Sequence, residues 1–387
     1  MVVSGSCRSD KLLDRSPFWQ AFSDHAGARR DMAHSGDAGT TVVDSGDAVV
    51  PLAFVPYVRP QVWGGRELGS RLGKSLPGEG GYGEAWDVSG HRDHVTVLAP
   101  GPTAGPDADQ PLDRLWAERA AEWTRGRATG REPFPLLLKW LDCRELLSVQ
   151  VHPNDALAME LRGERFGKTE AWVVLDAAPT GRIYAGLREG VTPADLAARL
   201  EAGTVDQCLH QFRPHRGDCL FLRAGTVHAV GGGVLMAEVQ QSSDATFRLF
   251  DWNRLGTDGK PRALHREESL RAIDWSAGPV EPVVPRVVRE EKSGALREKL
   301  VDCAEFTLER WTLGSEPQPH SRPDELSLVM VLEGTGAWGL ADGGAKDGGR
   351  EDGMLTTGES RLVPAGATRL EWRGAGMTLL LAVPKFV

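Results

Sequence analysis

From Pro51 onward, the chain consists of short apolar or alternating segments that are separated by glycine, proline and aspartate. A period of two places successive side chains on opposite faces of a strand, and many short segments of this kind predict a β-sandwich or β-barrel. Long stretches with the helical period are few, so we predict a mainly β fold with a few peripheral helices. The predicted strands cover residues 136–142, 147–152, 171–175, 182–185, 218–222, 234–240 and 246–251.

Three segments have the spacing of amphipathic helices and are expected to pack outside the β core. They cover residues 112–125, residues 154–162 and residues 192–202. Thr192 can cap the N-terminus of the third segment, and Pro193 suits the first helical position because its missing N–H would have no helical partner there.

Composition and an internal repeat predict how the chain is divided. Residues 1–49 carry few apolar anchors and are expected to form a disordered extension. A stretch rich in proline and valine, residues 280–285, precedes a second β-rich segment. We therefore predict a larger domain over residues 50–285 and a smaller β domain over residues 286–387.

The repeat indicates two copies of one small barrel. Residues 217–228 align without a gap with residues 358–369, and both segments have the pattern of a turn, a strand and a glycine turn. His228 corresponds to Arg369 in this alignment. A guanidinium cannot replace an imidazole as a metal ligand, so any metal is expected in the first copy.

Charge and cysteine content exclude several classes of protein. The net charge is −9, and the basic residues are scattered, so a nucleic-acid partner is not expected. No apolar segment approaches the ~20 residues that cross a bilayer, and the N-terminus lacks the apolar core of a secretory signal. We expect a cytoplasmic protein that has no membrane partner. The five cysteines form no CxxC pair, so neither a disulfide framework nor a thiolate zinc site is expected.

The candidate chemistry lies mainly in two segments. Ser148, Gln150 and His152 share one face of a predicted strand, an arrangement that is costly inside an apolar barrel unless a ligand satisfies these groups. Lys168 and Glu170 point the same way at the start of another strand. His152, Glu170 and His228 would form the two-imidazole, one-carboxylate set of a catalytic zinc site, provided that the barrel brings them together.

A third segment, residues 238–252, mixes acids and amides with aromatic side chains. Alternation predicts that Thr246, Arg248 and Phe250 share one strand face. An arginine in such a strand either extends to the rim or binds an anion, and an arginine in the interior should face a carboxylate or a phosphate.

Several motifs in order carry a resemblance that covers the chain from about Pro51 to Val387. They are Trp63-Gly64-Gly65, residues 83–89 (GEAWDVS), residues 146–153 (LLSVQVHP), residues 167–172 (GKTEAW), residues 224–229 (AGTVHA) and residues 238–248. With these motifs the chain resembles the shorter, bacterial-type class of mannose-6-phosphate isomerases, which are zinc-dependent cupin-fold enzymes. The resemblance implies two cupin-like β-barrel (jelly-roll) domains and an aldose–ketose exchange between mannose 6-phosphate and fructose 6-phosphate through an enediolate.

Carried across residue by residue, the resemblance implies the roles of the site residues. One Zn²⁺ per chain would be bound by the histidine of VQVHP, the glutamate of KTE and the histidine of AGTVH, with a glutamine as a further ligand. The family's catalytic arginine falls on Arg248, while Lys168 and Glu238 both remain candidates for the general base. Ser148 and Arg254 are candidates for substrate binding. Two positions depart from the family pattern. This chain has Arg223 where the family usually has a proline, and it has Phe247 where a tyrosine is common. The implied metal ligands are His152, Glu170, His228 and Gln150.

Two alternatives remain open at this point. A cupin fold does not fix the reaction, so another metal-dependent enzyme that acts on a sugar, an epimerase or an oxygenase, fits the same ligand set. A sugar-binding cupin without activity is the other alternative. The expected partner is a small phosphosugar, and the oligomeric state is left open, a monomer being compatible with the sequence.

Overall fold

The structure is a computed structural model that describes residues 49–101, 103–255, 259–341 and 353–386. The predicted N-terminal extension therefore lies outside the described residues, apart from its last residue, Val49. Residues Asp47–Val387 form one compact unit. The division of this unit near residue 285 remains a prediction. Among the described residues, no helix is both long enough and apolar enough to cross a membrane.

Strands dominate the fold. The first thirteen are β1 (Phe54–Val55), β2 (Tyr57–Gly65), β3 (Tyr82–Ser89), β4 (Val97–Leu98), β5 (Leu136–Cys143), β6 (Val149–Val151), β7 (Glu170–Ala177), β8 (Arg182–Leu187), β9 (Leu209–Phe212), β10 (Cys219–Leu222), β11 (His228–Gly231), β12 (Val234–Gln241) and β13 (Phe247–Phe250). The next ten are β14 (Arg286–Glu290), β15 (Leu296–Asp302), β16 (Phe306–Thr312), β17 (Gln318–Pro319), β18 (Ser327–Glu333), β19 (Thr335–Leu340), β20 (Gly353–Thr356), β21 (Ser360–Val363), β22 (Leu370–Arg373) and β23 (Thr378–Pro384).

Helices are short and lie between the strands in sequence. They are α1 (Glu67–Ser70), α2 (Leu112–Trp123), α3 (Asp155–Arg162), α4 (Pro193–Ala202) and α5 (Arg266–Ala272), with 3-10 turns at Gly105–Asp107 and Val205–Cys208.

Four larger sheets form two pairs. In the first pair, a six-stranded sheet (β10-β7-β12-β5-β2-β3) faces a five-stranded sheet (β13-β6-β11-β8-β9). In the second pair, a six-stranded sheet (β14-β15-β16-β23-β18-β21) faces a four-stranded sheet (β17-β22-β19-β20). Apolar clusters fill the space inside each pair, and another cluster joins the two six-stranded sheets back to back. We call the first pair the first barrel and the second pair the second barrel.

The central strand β12 shows why the six-stranded sheets are apolar on both faces. Val234 and Met236 contact the core inside the first barrel, whereas Leu235, Ala237 and Val239 contact the core between the barrels. Both faces are covered, so every residue of β12 is buried. Alternation then places Glu238 and Gln240 on the inner face of the first barrel, where they need polar partners.

The predicted elements are found with shifted ends. Each predicted strand overlaps an observed one, and α2, α3 and α4 match the three predicted helices. Asn154 caps α3 by accepting from the backbone N–H of Leu157 at 3.0 Å, and Thr192 and Asp195 form a capping box on α4. The short helices α1 and α5 were not predicted, because four and seven residues carry too little of the helical period.

One prediction about strand faces is wrong. The register of β13 against β6 shifts between Arg248 and Phe250. Because of this bulge, Phe250 joins Phe247 and Leu249 in the apolar cluster of the five-stranded sheet, and it does not share the face of Arg248.

The internal repeat is present in three dimensions. The aligned strands β10 and β21 each form an edge of a six-stranded sheet. The glycines before them, Gly217 and Gly358, have φ of 88° and 94°, and the glycines after them also have positive φ. These left-handed conformations suit glycine because it has no Cβ. The equivalence confirms two copies of one β architecture.

Candidate metal centre and adjoining cavity

Three potential metal ligands that are distant in sequence meet inside the first barrel. His152 follows β6, Glu170 is the first residue of β7 and His228 is the first residue of β11. One ligand atom from each of them lies within 4.8 Å of the others. All three side chains are buried. The two facing sheets of the barrel therefore assemble the predicted triplet.

Backbone carbonyls orient both imidazoles. Nδ1 of His152 lies 3.1 Å from the carbonyl of Ala245, and Nδ1 of His228 lies 2.9 Å from the carbonyl of Thr226. A carbonyl only accepts hydrogen bonds, so each Nδ1 carries the proton and each Nε2 presents a lone pair. The two Nε2 atoms lie 3.6 Å and 3.4 Å from the carboxylate oxygens of Glu170.

Burial keeps these imidazoles neutral. It lowers the pKa of His152 well below its usual range, and it lowers the pKa of His228 to about 4, with a smaller contribution from Lys168 in each case. Neutral imidazole is the form that binds a metal. Glu170 Oε1 is buried and has no hydrogen-bond partner among the described residues. Two lone pairs and an unsatisfied carboxylate oxygen fit a divalent cation such as zinc.

Lys168 contacts this triplet directly. Its Nζ lies 3.1 Å from Nε2 of His152 and donates to Oε2 of Glu170. Burial alone would lower the pKa of Lys168, but the carboxylates of Glu170 and Glu238 outweigh burial, and the pKa is raised. Lys168 is therefore an ammonium group in this structure.

A row of alternating charges extends from the triplet across the inner face of the six-stranded sheet. Oε1 of Glu238 lies 3.8 Å from Nζ of Lys168 and 3.6 Å from Nζ of Lys139. Nζ of Lys139 in turn lies 3.5 Å from Oε2 of Glu84. All four side chains are buried, so each charge depends on its neighbours for compensation.

Glu238 holds a distinct position in this row. Its Oε2 accepts a hydrogen bond of 2.9 Å from the indole of Trp172, while its Oε1 has no hydrogen-bond partner among the described residues. Burial raises the pKa of Glu238, although Lys168 and Lys139 oppose the shift. A carboxyl group with a raised pKa and a free oxygen is suited to proton transfer.

The row borders a cavity of about 230 Å³ that opens beside the triplet. Gln150, Lys168, Glu238 and Arg248 line this cavity, so four of the predicted site residues meet there. Gln150 lies opposite His228 in the strand register and donates to Oγ of the buried Ser148 at 3.1 Å.

Arg248 and Arg254 lie in different surroundings. Arg248 is on the cavity wall, where its Nη1 donates to the carbonyl of Ala263 at 2.8 Å, and burial lowers its pKa. Arg254 pairs with Asp251 at 2.7 Å and donates to the carbonyl of Leu146. It lines a separate hollow with Arg266, so the structure does not bring Arg254 to the cavity.

Comparison with known proteins shows the family of this chain. Residues 52–168 match the family described as phosphomannose isomerase type I, catalytic domain. The mannose-6-phosphate isomerase ManA of Bacillus subtilis (strain 168) is 34% identical over 287 residues, which are 74% of this chain and 86% of ManA. The chain belongs to the mannose-6-phosphate isomerase family. Enzymes of this family are aldose–ketose isomerases.

Solved structures of mannose-6-phosphate isomerases share the fold. The Bacillus subtilis enzyme superposes with a TM-score of 0.75 at 26% identity, covering 86% of this chain and 99% of that one. A mannose 6-phosphate isomerase bound with zinc and yttrium superposes with a TM-score of 0.64 over 87% of this chain and 99% of that one. The second similarity, at 15% identity, shows the fold alone. The two barrels are cupin-type β domains, as predicted.

The sequence analysis of this member of the mannose-6-phosphate isomerase family did not identify all the residues that line the cavity. Arg59, Lys139, Asp244 and Arg262 also line it. Lys139 offered a signal, because it is a lysine that lies between apolar residues in strand β5. A buried lysine in such a strand needs a carboxylate partner, and that partner is on a strand far away in sequence.

Proposed function

We propose that this chain interconverts mannose 6-phosphate and fructose 6-phosphate at the cavity of the first barrel. The observation that carries the proposal is the position of His152, Glu170 and His228 beside a cavity that also contains an ionisable acid and an ammonium group. The exchange needs one proton moved between C1 and C2 and stabilisation of the negative charge on the oxygens. Both requirements are matched by groups on the cavity wall.

We propose that one zinc ion per chain binds to His152, Glu170 and His228, with Gln150 as a further ligand. The relative whose structure holds zinc supports the choice of metal. A cation bound there would supply positive charge next to the sugar oxygens at which negative charge develops. Because Lys168 now compensates Glu170, its ammonium group would be released toward the cavity when a cation takes over that role.

Glu238 is the proposed proton acceptor. Glu238 lines the cavity, its Oε1 has no hydrogen-bond partner among the described residues, and the indole of Trp172 holds the other oxygen in place. The carboxylate would take the proton from C2 of the aldose, with the electron pair moving into the enediolate, and would return the proton to C1. The proton on O2 would move to O1 in the same exchange, which leaves the carbonyl at C2 and gives the ketose. Lys168, whose pKa is raised, is better suited to donate a proton to a sugar oxygen than to accept one from carbon.

Arg248 is the proposed stabiliser of the enediolate. A guanidinium remains protonated at neutral pH, so it can contribute positive charge but cannot serve as the base. Its hydrogen bond to the carbonyl of Ala263 fixes one side of the guanidinium, and Nε has no partner among the described residues. Donors therefore remain for the sugar.

The test is a coupled assay of the full chain with each sugar phosphate as substrate. The metal is first removed with a chelator, and activity is then measured before and after one equivalent of zinc is added. We expect turnover in both directions that is lost with the metal and restored by zinc. Turnover that is indifferent to chelation would contradict the metal assignment. Oxygen consumption, or epimerisation without formation of the ketose, would replace the isomerase proposal with one of the alternative cupin activities.

A further inference from the structure

A second cavity, of about 190 Å³, lies inside the second barrel. Trp311 and Leu313 form its apolar wall, and Arg297, Gln318, His320 and Ser321 give it polar lining. None of these residues belongs to the cavity of the first barrel.

Strand register shows that the two cavities occupy equivalent places. Through the repeat, Leu222 of β10 corresponds to Val363 of β21, and their neighbours across the sheet are Glu170 and Ser327. The same comparison continues to the next strands of each sheet, where Glu238 of the first barrel corresponds to Leu381 of the second. Glu238 lies opposite Lys139, and Leu381 lies opposite Glu309. Position by position, Ser327 thus replaces the metal-binding glutamate, and Glu309 replaces Lys139.

The correspondence extends to the outer strands, where the equivalent residues line the two cavities. Leu141 lies opposite Glu84 in the first barrel, and Trp311 lies opposite Arg297 in the second. Leu141 and Glu84 line the first cavity, whereas Trp311 and Arg297 line the second. The second barrel has therefore kept the cavity while changing its chemistry, because a carboxylate has become a guanidinium.

Hydrogen-bond donors are left over in the second cavity. Nε of Arg297 and Oγ of Ser321 are buried without a hydrogen-bond partner among the described residues. The nearby carboxylate of Glu309 lies 3.4 Å from Nε of Arg297, but its oxygens already accept from Arg322 at 2.6 Å and from Trp311 at 3.3 Å. Buried donors of this kind carry a free-energy cost unless an acceptor completes them.

At the rim of the cavity, too, the carboxylate is engaged while a hydrogen-bond donor remains available. The carboxylate of Glu291 pairs with Arg289 at 2.7 Å and accepts from Ser293 at 3.3 Å. The amide of Gln318 donates to Glu291 and to the carbonyl of Glu316, both only at 3.4 Å, so its N–H groups can exchange these long hydrogen bonds for shorter ones to a ligand. The carboxylate of Glu291, which lines the cavity, and that of Glu309, which lies behind Arg297, are thus engaged by other groups, whereas Arg297 is not fully engaged.

We propose that this cavity is a second ligand site that takes a small anion with phosphate or carboxylate oxygens. Arg297 and Ser321 donate to the anion from within, and Gln318 donates from the rim. The site works without a metal, because the positions of Glu170 and His228 are taken by Ser327 and Arg369. It does not depend on the reaction that is proposed for the first barrel.

The test uses the indole N–H groups of the second barrel as local reporters. The indole of Trp311 donates to Glu309, and the indole of Trp372 donates to Nδ1 of His320 at 3.2 Å. We titrate the full chain with inorganic phosphate and, separately, with acetate, and follow the ¹⁵N–¹H signals of the tryptophan indoles. We expect the two second-barrel signals to shift with saturation, and the arm with the lower Kd identifies the preferred oxygen group.

Matched variants complete the test. Arg297→Gln should raise the Kd that is read at Trp311 at least ~10-fold, whereas Arg286→Gln, which removes the same charge from an exposed position on β14, should leave it unchanged. Gln318→Leu on the rim provides a second variant in case Arg297→Gln alters folding, and it should raise the Kd ~3-fold or more, as expected for one lost hydrogen bond. Unmoved second-barrel signals in both titrations, or equal effects of Arg297→Gln and Arg286→Gln, would overturn the proposal.

Discussion

Nε2 of His228 lies 3.4 Å from Oε1 of Glu170, a buried carboxylate oxygen that has no hydrogen-bond partner among the described residues. Because the carbonyl of Thr226 holds the proton of His228 on Nδ1, a lone pair faces a negative charge. Two electron-rich atoms at this distance repel each other unless a cation lies near both of them. The pair is therefore arranged for a metal ion and is unfavourable without positive charge.

The first prediction follows from this pair. His228→Ala should reduce the metal content of purified protein from about one ion per chain to less than a tenth of that, as expected when one of three ligands at a mononuclear site is lost. Elemental analysis measures the content directly. His320→Gln, a change at a buried histidine of the second barrel, serves as the control and should keep the metal. Full metal content in His228→Ala would show that the ion is bound elsewhere.

Substitution of Arg248 tests whether this residue acts in catalysis or in substrate binding. If its guanidinium stabilises charge that develops in the enediolate, Arg248→Ala should lower kcat by ~10²–10³ with a smaller change in KM. Steady-state kinetics with mannose 6-phosphate checks this split, and the metal content should stay at the wild-type level. A large rise in KM at unchanged kcat would instead make Arg248 an anchor for the phosphate group.

Glu238 should control the acid limb of the pH profile. Its pKa is raised by burial, so kcat should fall as the pH decreases through that raised pKa, because the protonated carboxyl cannot accept a proton. Glu238→Gln should lower kcat by ~10²–10⁴ and remove this limb. The charge of Glu84 contributes to the raised pKa of Glu238. Glu84→Gln should therefore move the limb to lower pH, and an unmoved limb would assign it to another group.

The candidate metal ligands could be named from the sequence because local patterns mark several of them. Strand alternation puts Gln150 and His152 on one face, and the repeat marks His228 by its replacement with Arg369. The charge row could not be predicted in the same way. Lys139 and Glu238 are paired by the register of β5 against β12, and register between distant strands depends on packing rather than on local pattern.

Strand β13 shows a second limit of prediction from sequence. Period two predicts that Phe250 lies beside Arg248, but a bulge between them returns Phe250 to the apolar cluster. The bulge adds one residue without a fixed sequence pattern, and the gain from burying an aromatic side chain decides its position.

Asp87 forms a buried polar contact between the two barrels. Its Oδ2 lies 2.6 Å from Nζ of Lys74 and accepts from Trp140 at 2.9 Å and from Ser360, on β21, at 2.8 Å. Asp87→Ala should lower the free energy of unfolding by about 3–5 kcal/mol, because it leaves the ammonium of Lys74 buried and unpaired. Urea denaturation measures the loss. The double variant Asp87→Ala with Lys74→Met should recover part of it, and a double variant as unstable as the single one would contradict this reason.

His320 should make the second barrel sensitive to acid. Burial, assisted by Arg322, lowers the pKa of His320 to about 4, and its Nδ1 accepts from the indole of Trp372. In the unfolded chain the pKa returns to ~6.5, so between these two values the unfolded state binds a proton that the folded state does not. The free energy of unfolding must then decrease as the pH falls, by about 2–3 kcal/mol between pH 7.5 and pH 4.5 from this group alone. His320→Gln keeps a donor and an acceptor at the position but does not titrate, so its stability should fall less over this interval by that amount. Urea denaturation of both proteins at the two pH values measures the difference, in which the contributions of the other histidines cancel. Parallel losses in the two proteins would show that His320 is already accessible to protons in the folded state.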